Sequence, residues 1–358
     1  MDRPRLNPKA ALRCLFGAVA MATTAHAADD PEGWLQRMER ALTTRNYEGV
    51  FVHEHGGQSE TLRILHRVSN GEIAERIVSM DGSGREFIRQ GAELSTYLPD
   101  QKMVLVERSP DSGLLLTELR AVDATGSGQY ASRELGRARV AGRNTRVIAV
   151  EPLDEFRYGY RIWIDEATAM PLKSQLRSAG GQVVEQLIFT SLTLPVQMAD
   201  AALQPAIDAR GYRWLRYDGA AAATDAPAAA WQAGELPPGF RMTVRSTQRL
   251  PGSSAAVTHL VFSDGLAAVS VFVESNERDS RDVPATDSAS VGSSSAFSTT
   301  VDGHRVTAIG EVPPDTVRAI ARSLRPAADG PAAGGRGTAG GDGFGPLIRG
   351  SGPHAGPH

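Results

Sequence analysis

The chain has 358 residues, 41% of them hydrophobic, with 38 Lys and Arg against 41 Asp and Glu for a formal net charge of −3. That length supports roughly two hydrophobic cores, and the mildly acidic balance argues against nucleic acid as a bulk partner. A single cysteine, Cys14, excludes a disulfide within the chain.

The first element is an export signal. Arg3, Arg5, Lys9 and Arg13 form a basic start, an apolar run follows from Cys14 to Ala22, and Ala25-His26-Ala27 has the small-x-small form of a cleavage site. The run falls well short of the ~20 residues a membrane-spanning helix needs. Cleavage after Ala27 leaves 331 residues, removes the cysteine and, by taking four bases and one acid, moves the net charge from −3 to −6. A soluble chain outside the cytoplasm, starting at Ala28, is the expectation.

Residues 31–45 read as one amphipathic helix, with Trp34, Leu35, Met38 and Leu42 at helical spacing. From Tyr47 the period changes to two. Tyr47, Phe51 and His53 share a strand face, and Leu62, Ile64, His66 and Val68 alternate with Thr61, Arg63, Leu65 and Arg67. Ile73 and Ile77, Leu94 to Leu98, and Met103 with Leu105 continue the series. Turn residues separate the runs, and Asn70-Gly71 is the strongest hairpin signal because a type I′ turn needs positive φ at both central positions. Residues 109–132 are ambiguous. Strands resume through Tyr158, Tyr160, Ile162 and Ile164, then Val183, Leu187 and Phe189. Many short strands with tight turns predict an antiparallel sheet curled on itself, with the 31–45 helix packed against it.

Alanine-rich residues 199–230 break the strand pattern and read as an interdomain connection. A second domain starts near Trp231-Gln232-Ala233-Gly234-Glu235-Leu236-Pro237-Pro238-Gly239-Phe240, with strands at 241–249, 257–263 and 267–274. It ends in a helix that places Val317, Ile320, Ala321 and Leu324 on one face. From Ala327 to His358 the chain is mostly Gly, Ala and Pro and reads as disordered. The domain plan is thus 1–27 signal, 28–198 first domain, 199–230 linker, 231–326 second domain and 327–358 tail.

The sequence carries no Walker loop, H-E-x-x-H, EF-hand loop or G-x-S-x-G elbow. His53 and His55 share a strand face but lack further ligands at metal spacing. Glu151, Asp154 and Glu155 read as a solvated turn rather than two carboxylates opposed across a sugar. No enzyme, cofactor or metal site is expected. The apolar strand faces admit two readings, a filled core or a concave surface that one helix leaves partly open for an acyl chain or peptide. Tyr47, Phe51, Leu62, Ile64, Ile77, Leu98, Leu105, Tyr160 and Ile162 are the candidates for such a surface. In the second domain, period-two spacing puts Arg241, Arg245 and Arg249 on one face, a candidate dock for an acidic partner segment.

Several blocks resemble the RseB/MucB family of periplasmic sigma-E regulators. They are Asn46-Tyr47-Glu48-Gly49-Val50-Phe51-Val52-His53, Glu60-Thr61-Leu62-Arg63, and Met80-Asp81-Gly82-Ser83-Gly84-Arg85-Glu86. Arg139-Val140-Ala141-Gly142-Arg143, Tyr158 to Asp165, Phe262-Ser263-Asp264-Gly265 and Gly310-Glu311-Val312-Pro313-Pro314 continue the likeness in order. The resemblance implies an α+β fold class: a curved antiparallel β half-barrel with packed helices, like the lipoprotein carriers LolA and LolB, plus a smaller carboxy-terminal α+β domain. It implies a non-catalytic periplasmic negative regulator of the sigma-E response. Such a protein binds the periplasmic domain of a membrane anti-sigma factor, shields it from the first protease, and is released by acyl chains of lipopolysaccharide or mislocalised lipoprotein. Self-association into a homo-oligomer is left open. The alternative, a lipid or lipoprotein carrier of LolA type, would need only the first domain.

Overall fold

The computed structural model describes residues 30–82, 84–108, 128–218, 231–249, 256–275 and 287–327. The expected signal peptide, residues 109–127 of the ambiguous stretch 109–132 and the tail beyond 327 lie outside the described residues, whereas residues 130–132 open a strand.

Helix α1 (Pro31–Thr44) opens the described chain with Pro at its first position, where a missing N–H costs nothing. Strands β1 (Tyr47–His55), β2 (Gln58–Ser69), β3 (Glu72–Ser79), β4 (Glu86–Gln90), β5 (Glu93–Leu98) and β6 (Met103–Arg108) follow as a meander. Asn70 (φ 52°) and Gly71 (φ 82°) both take the left-handed region that a type I′ hairpin demands, and Ser69 faces Glu72 across it. Then come β7 (Tyr130–Val140), β8 (Arg143–Pro152), β9 (Gly159–Asp165), β10 (Pro171–Arg177) and β11 (Val183–Thr193). Strand β11 pairs with β1, so the two meanders join into one sheet. With β12 (Arg213–Asp218) added, the sheet has twelve strands in the order β12-β6-β5-β4-β3-β2-β1-β11-β10-β9-β8-β7. Its ends, β12 and β7, do not pair, so it stays open rather than closing into a barrel.

Residues 199–218 depart from the expected linker. A short 3-10 helix (Asp200–Leu203) and β12 occupy them, and β12 runs parallel to β6. Leu203 is buried, while Ile207, Ala209 and Tyr212 pack on Ile88, Tyr97, Val104 and Val106. Arg67 pairs with Asp200 at 2.6 Å, and Arg76 donates to the Ala202 carbonyl. The alanine content of the whole stretch masked these anchors. Only residues 219–230, where the alanines concentrate, lie outside the described structure.

The second unit pairs β13 (Trp231–Ala233) with β20 (Leu324–Pro326). Its main sheet has six strands: β14 (Arg241–Arg249), β15 (Ala256–Ser263), β16 (Ala268–Ser275), β17 (Asp287–Val291), β18 (Ser294–Val301) and β19 (His304–Gly310). Helix α2 (Pro314–Ser323) lays Val317, Ile320 and Ala321 on this sheet, as its apolar spacing predicts. Trp231, Phe240, Leu260, Phe262, Val271 and Val306 complete that core.

Candidate functional site

The inner face of the large sheet is read most directly from its register. One row runs Ile64, Ile77, Phe87, Thr96, Leu105 and Leu215 across six strands. Helix α1 places Leu35, Met38, Ala41 and Leu42 in one apolar cluster with Tyr47, Phe51, Leu62, Ile64, Ile77 and Ile162. Those six candidate lipid residues are at most 2% exposed. They are core, not a lined cavity, because the helix and the facing strands already fill the space between them. Tyr160 packs half-buried against the same cluster. Leu98 and Leu105 are also half-buried, toward the β12 edge, so that with Tyr160 they are the candidates that retain accessible apolar surface.

The neighbouring row of the inner face is polar. His66 Nδ1 lies 2.6 Å from Glu75 Oε1, the Tyr47 ring stacks on His66 at 4.5 Å, and Arg89 Nη1 stands 3.9 Å from Glu75 Oε2. His66, Glu75 and Arg89 are all buried, and His66 Nε2, Glu75 Oε2 and Arg89 Nη1 find no hydrogen-bond partner among the described residues. Sequence reading placed His66 on the apolar face beside Ile64 and gave no hint of its partners, which come from β3 and β4.

The arginines of β14 do not share a face. A bulge between Met242 and Val244 shifts the register, so Arg241 sits opposite Ser263 whereas Arg245 sits opposite Leu260, three residues away. An odd offset reverses the side of the sheet. Arg241 is exposed. Arg245 turns toward β13 and donates from Nη2 to the Trp231 carbonyl at 2.5 Å. Arg249 is paired with Ala256 through its backbone.

The most heavily built polar site lies where the two units meet. Arg157, in the β8–β9 connection, is fully buried. It donates from Nε to Asp154 Oδ1 at 2.9 Å, from Nη2 to the Pro238 carbonyl at 2.5 Å, and from Nη1 to Asp264 Oδ2. The Phe240 and Tyr130 rings flank its guanidinium at 5.2 and 5.5 Å. Asp264 also accepts from the Tyr130 hydroxyl at 3.1 Å and from the backbone N–H groups of Leu266 (2.9 Å) and Ala267 (2.7 Å). Burial and the Asp264 carboxylate push the Tyr130 phenol well above its ordinary range, so it stays a hydrogen-bond donor. Leu266 inserts among the apolar residues of the first core, and Thr316 Oγ1 on α2 donates to the Phe156 carbonyl at 2.6 Å.

A second bridge joins the β1–β2 hairpin to the β17–β18 turn. Glu185 on β11 accepts from Ser293 Oγ at 2.7 Å and sits 2.8 Å from His53 Nε2. Burial opposes ionisation of Glu185, but the hydrogen bonds from His53 and Ser293 outweigh it and hold the carboxyl below its ordinary value. Gly292 (φ 60°) passes so close to the hairpin that a Cβ there would stand 2.1 Å from His55 Nδ1. The two histidines stack on each other at 5.6 Å. Among the described residues no three His, Cys, Asp or Glu side chains converge as a metal site.

Sequence reading missed the junction. Asp154 looked like a turn acid and is instead half of the clasp on Arg157; the Leu236 to Phe240 block and Phe262-Ser263-Asp264-Gly265 were visible only as segments, not as neighbours. Glu151 pairs with Arg133 at 2.7 Å on the surface.

Both units match models of one family: the MucB/RseB N-terminal domain over residues 30–207 and the MucB/RseB C-terminal domain over residues 225–325. The chain belongs to the MucB/RseB family. The sigma factor AlgU regulatory protein MucB of Pseudomonas aeruginosa is 33% identical over 326 residues, covering 88% of this chain and 97% of that protein. The sigma-E factor regulatory protein RseB of Escherichia coli K12 is 28% identical over 326 residues, covering 87% and 94%. Among solved structures, the Pseudomonas aeruginosa MucA/MucB complex matches with a TM-score of 0.64 at 30% identity, over 84% of this chain and 99% of that one. A crystal structure of MucB matches at 0.54 and 29% identity, over 83% and 98%. The curated relatives it matches are named as sigma factor regulatory proteins, and the family is not known as one of enzymes.

Proposed function

We propose that this chain is a non-catalytic periplasmic regulator that binds the periplasmic part of a membrane anti-sigma factor and shields it from the first cleaving protease. The observation that carries this reading is family membership over both units, combined with likeness to MucB solved together with MucA. The match over both units favours it over a LolA-type carrier, for which the first unit would suffice.

Release by an acylated ligand is the second half of the proposal. The ligand is lipopolysaccharide or mislocalised lipoprotein, and its acyl chain would enter at the β5–β6–β12 end of the inner face, where Leu98 and Leu105 are half-buried. If lipid favours an arrangement that binds the partner poorly, linkage requires the partner to weaken lipid binding by the same factor. The test is capture of the periplasmic anti-sigma segment by the purified chain, with and without lipopolysaccharide, alongside protection of that segment from proteolysis. Capture that lipid weakens, together with protection, supports the proposal. Lipid that binds while partner affinity stays unchanged refutes the sensing half, and failure to capture the segment at all refutes the regulator.

A further inference from the structure

Arg37 and Arg40 on α1, and Arg45 just beyond its C-terminal end, are all exposed and line a groove of about 350 Å³. The β9–β10 turn, Glu166 to Ala169, also lines it, and its apolar lining is Trp34 with the small side chains Ala41, Ala167 and Ala169. Among the described residues these three guanidiniums have no carboxylate within ion-pair distance, in a chain whose charge is net negative. The one acid in the groove, Glu166, is already committed to Arg137 at 3.0 Å and Arg146 at 3.5 Å. The hydroxyls are spent as well: Thr44 donates to the Arg40 carbonyl and Thr168 to Asp165. Trp34 holds the Arg37 guanidinium 4.0 Å above its ring and has Arg146 at 5.3 Å. Stacking fixes the plane of Arg37 and leaves its N–H edge free for a carboxylate.

We propose that this groove binds an extended acidic peptide segment of a partner protein, with carboxylates at alternate positions meeting successive arginines. Arg37 and Arg40, three residues apart, share one side of α1 about 4.5 Å apart along its axis, and Arg45 follows at the end of the helix, so one extended segment can run past all three. A lipid surface fits less well, because interfacial binding needs a large apolar anchor beside the charges. Here Trp34 is half-buried between two arginines, and none of the large exposed apolar side chains lines the groove. The site is separate from the reading above, since it can be occupied or empty whether or not the anti-sigma factor is the partner.

The test uses the mature chain and a fluorescein-labelled decapeptide of alternating Glu and Ser, followed by anisotropy. Saturable binding should weaken with salt and fall at least about tenfold in Arg37→Gln/Arg40→Gln/Arg45→Gln; glutamine keeps the helical propensity. A peptide with Gln in place of every Glu should not bind the native chain, which tests the idea even if the triple variant misfolds. No binding of the acidic peptide, equal binding of its Gln version, or undiminished binding by a folded triple variant overturns the proposal. Phosphatidylglycerol vesicles that sediment with the native chain but not the variant, while the peptide stays unbound, would overturn it in favour of a membrane surface.

Discussion

Replacing Asp264 with Asn should uncouple the two units before it unfolds either. The carboxylate accepts from four donors: Arg157 Nη1, the Tyr130 hydroxyl, and the Leu266 and Ala267 N–H groups. Asparagine can keep the two backbone donors through its single carbonyl oxygen, so the local β15–β16 turn should survive. Its amide N–H groups would then face Arg157 and Tyr130, donors against donors. Arg157 and Asp264 have fully buried side chains, so water cannot replace the lost acceptor. Removing one partner of a buried ion pair costs about 3–5 kcal/mol, which is two to nearly four powers of ten in an equilibrium. Asp154, with 21% of its side chain exposed, still neutralises Arg157 and puts the expected loss toward the lower end of that range.

Because Arg157 and Asp264 belong to different units, that loss should appear as separation of two thermal transitions, with a larger radius of gyration by small-angle scattering. Trp231, buried in the second core, reports that unit by fluorescence. A double-mutant cycle with Arg157→Met, which keeps the aliphatic stem, should give a coupling of at least about 2 kcal/mol. Additivity of the two substitutions within about 0.5 kcal/mol, with the transitions still merged, would refute a pinned junction.

Limited proteolysis should cut within 219–230 and spare 199–218, whose Leu203 and β12 are packed; early cleavage after Arg210 or Arg213 would contradict that packing. Gly292→Ala should loosen the hairpin bridge, since a Cβ collides with His55 at a positive φ; unaltered hydrogen exchange at the β17–β18 turn would refute the contact. Glu185 has a lowered folded pKa, so it binds fewer protons folded than unfolded just below its ordinary value of 4.5. Its stabilisation is therefore complete above that value and lost as pH falls through the folded pKa, and Glu185→Gln should flatten this acid dependence; parallel native and variant profiles would exclude it. Ile64→Trp should overpack the core and cost about 1–3 kcal/mol, whereas Leu105→Trp should leave stability nearly unchanged and weaken the lipid response; the reverse ranking in urea melts would misplace the open end of the face.

What was legible in the sequence was local. Period-two alternation located the strands, Asn70-Gly71 located a hairpin, and Pro314 with the apolar stripe after it located α2, because each signal is set by residues close in the chain. What was not legible depends on distance. The candidate lipid face could be read as a face but not as filled, since filling depends on where α1 lies. Arg241 and Arg245 were paired by counting twos, and a single extra residue in β14 reverses one of them. The stretch 199–218 looked like a tether because its composition was averaged, when three apolar residues in it, Ile207, Ala209 and Tyr212, dock it on β4–β6.

The junction is the strongest case of the same limit. Arg157 sits next to an alternating strand, and an exposed surface arginine is the ordinary reading of such a position. What makes it a clasp is an aspartate 107 residues later in the sequence, a carbonyl at Pro238 and two aromatic faces. A buried charge without those partners would destabilise the fold, and with them it ties the orientation of one unit to the other. A contact made of buried polar pairs is stable when complete and fails sharply when one member is displaced, whereas an apolar interface of similar area would loosen gradually. The double-mutant cycle between Asp264 and Arg157 measures the strength of that tie directly.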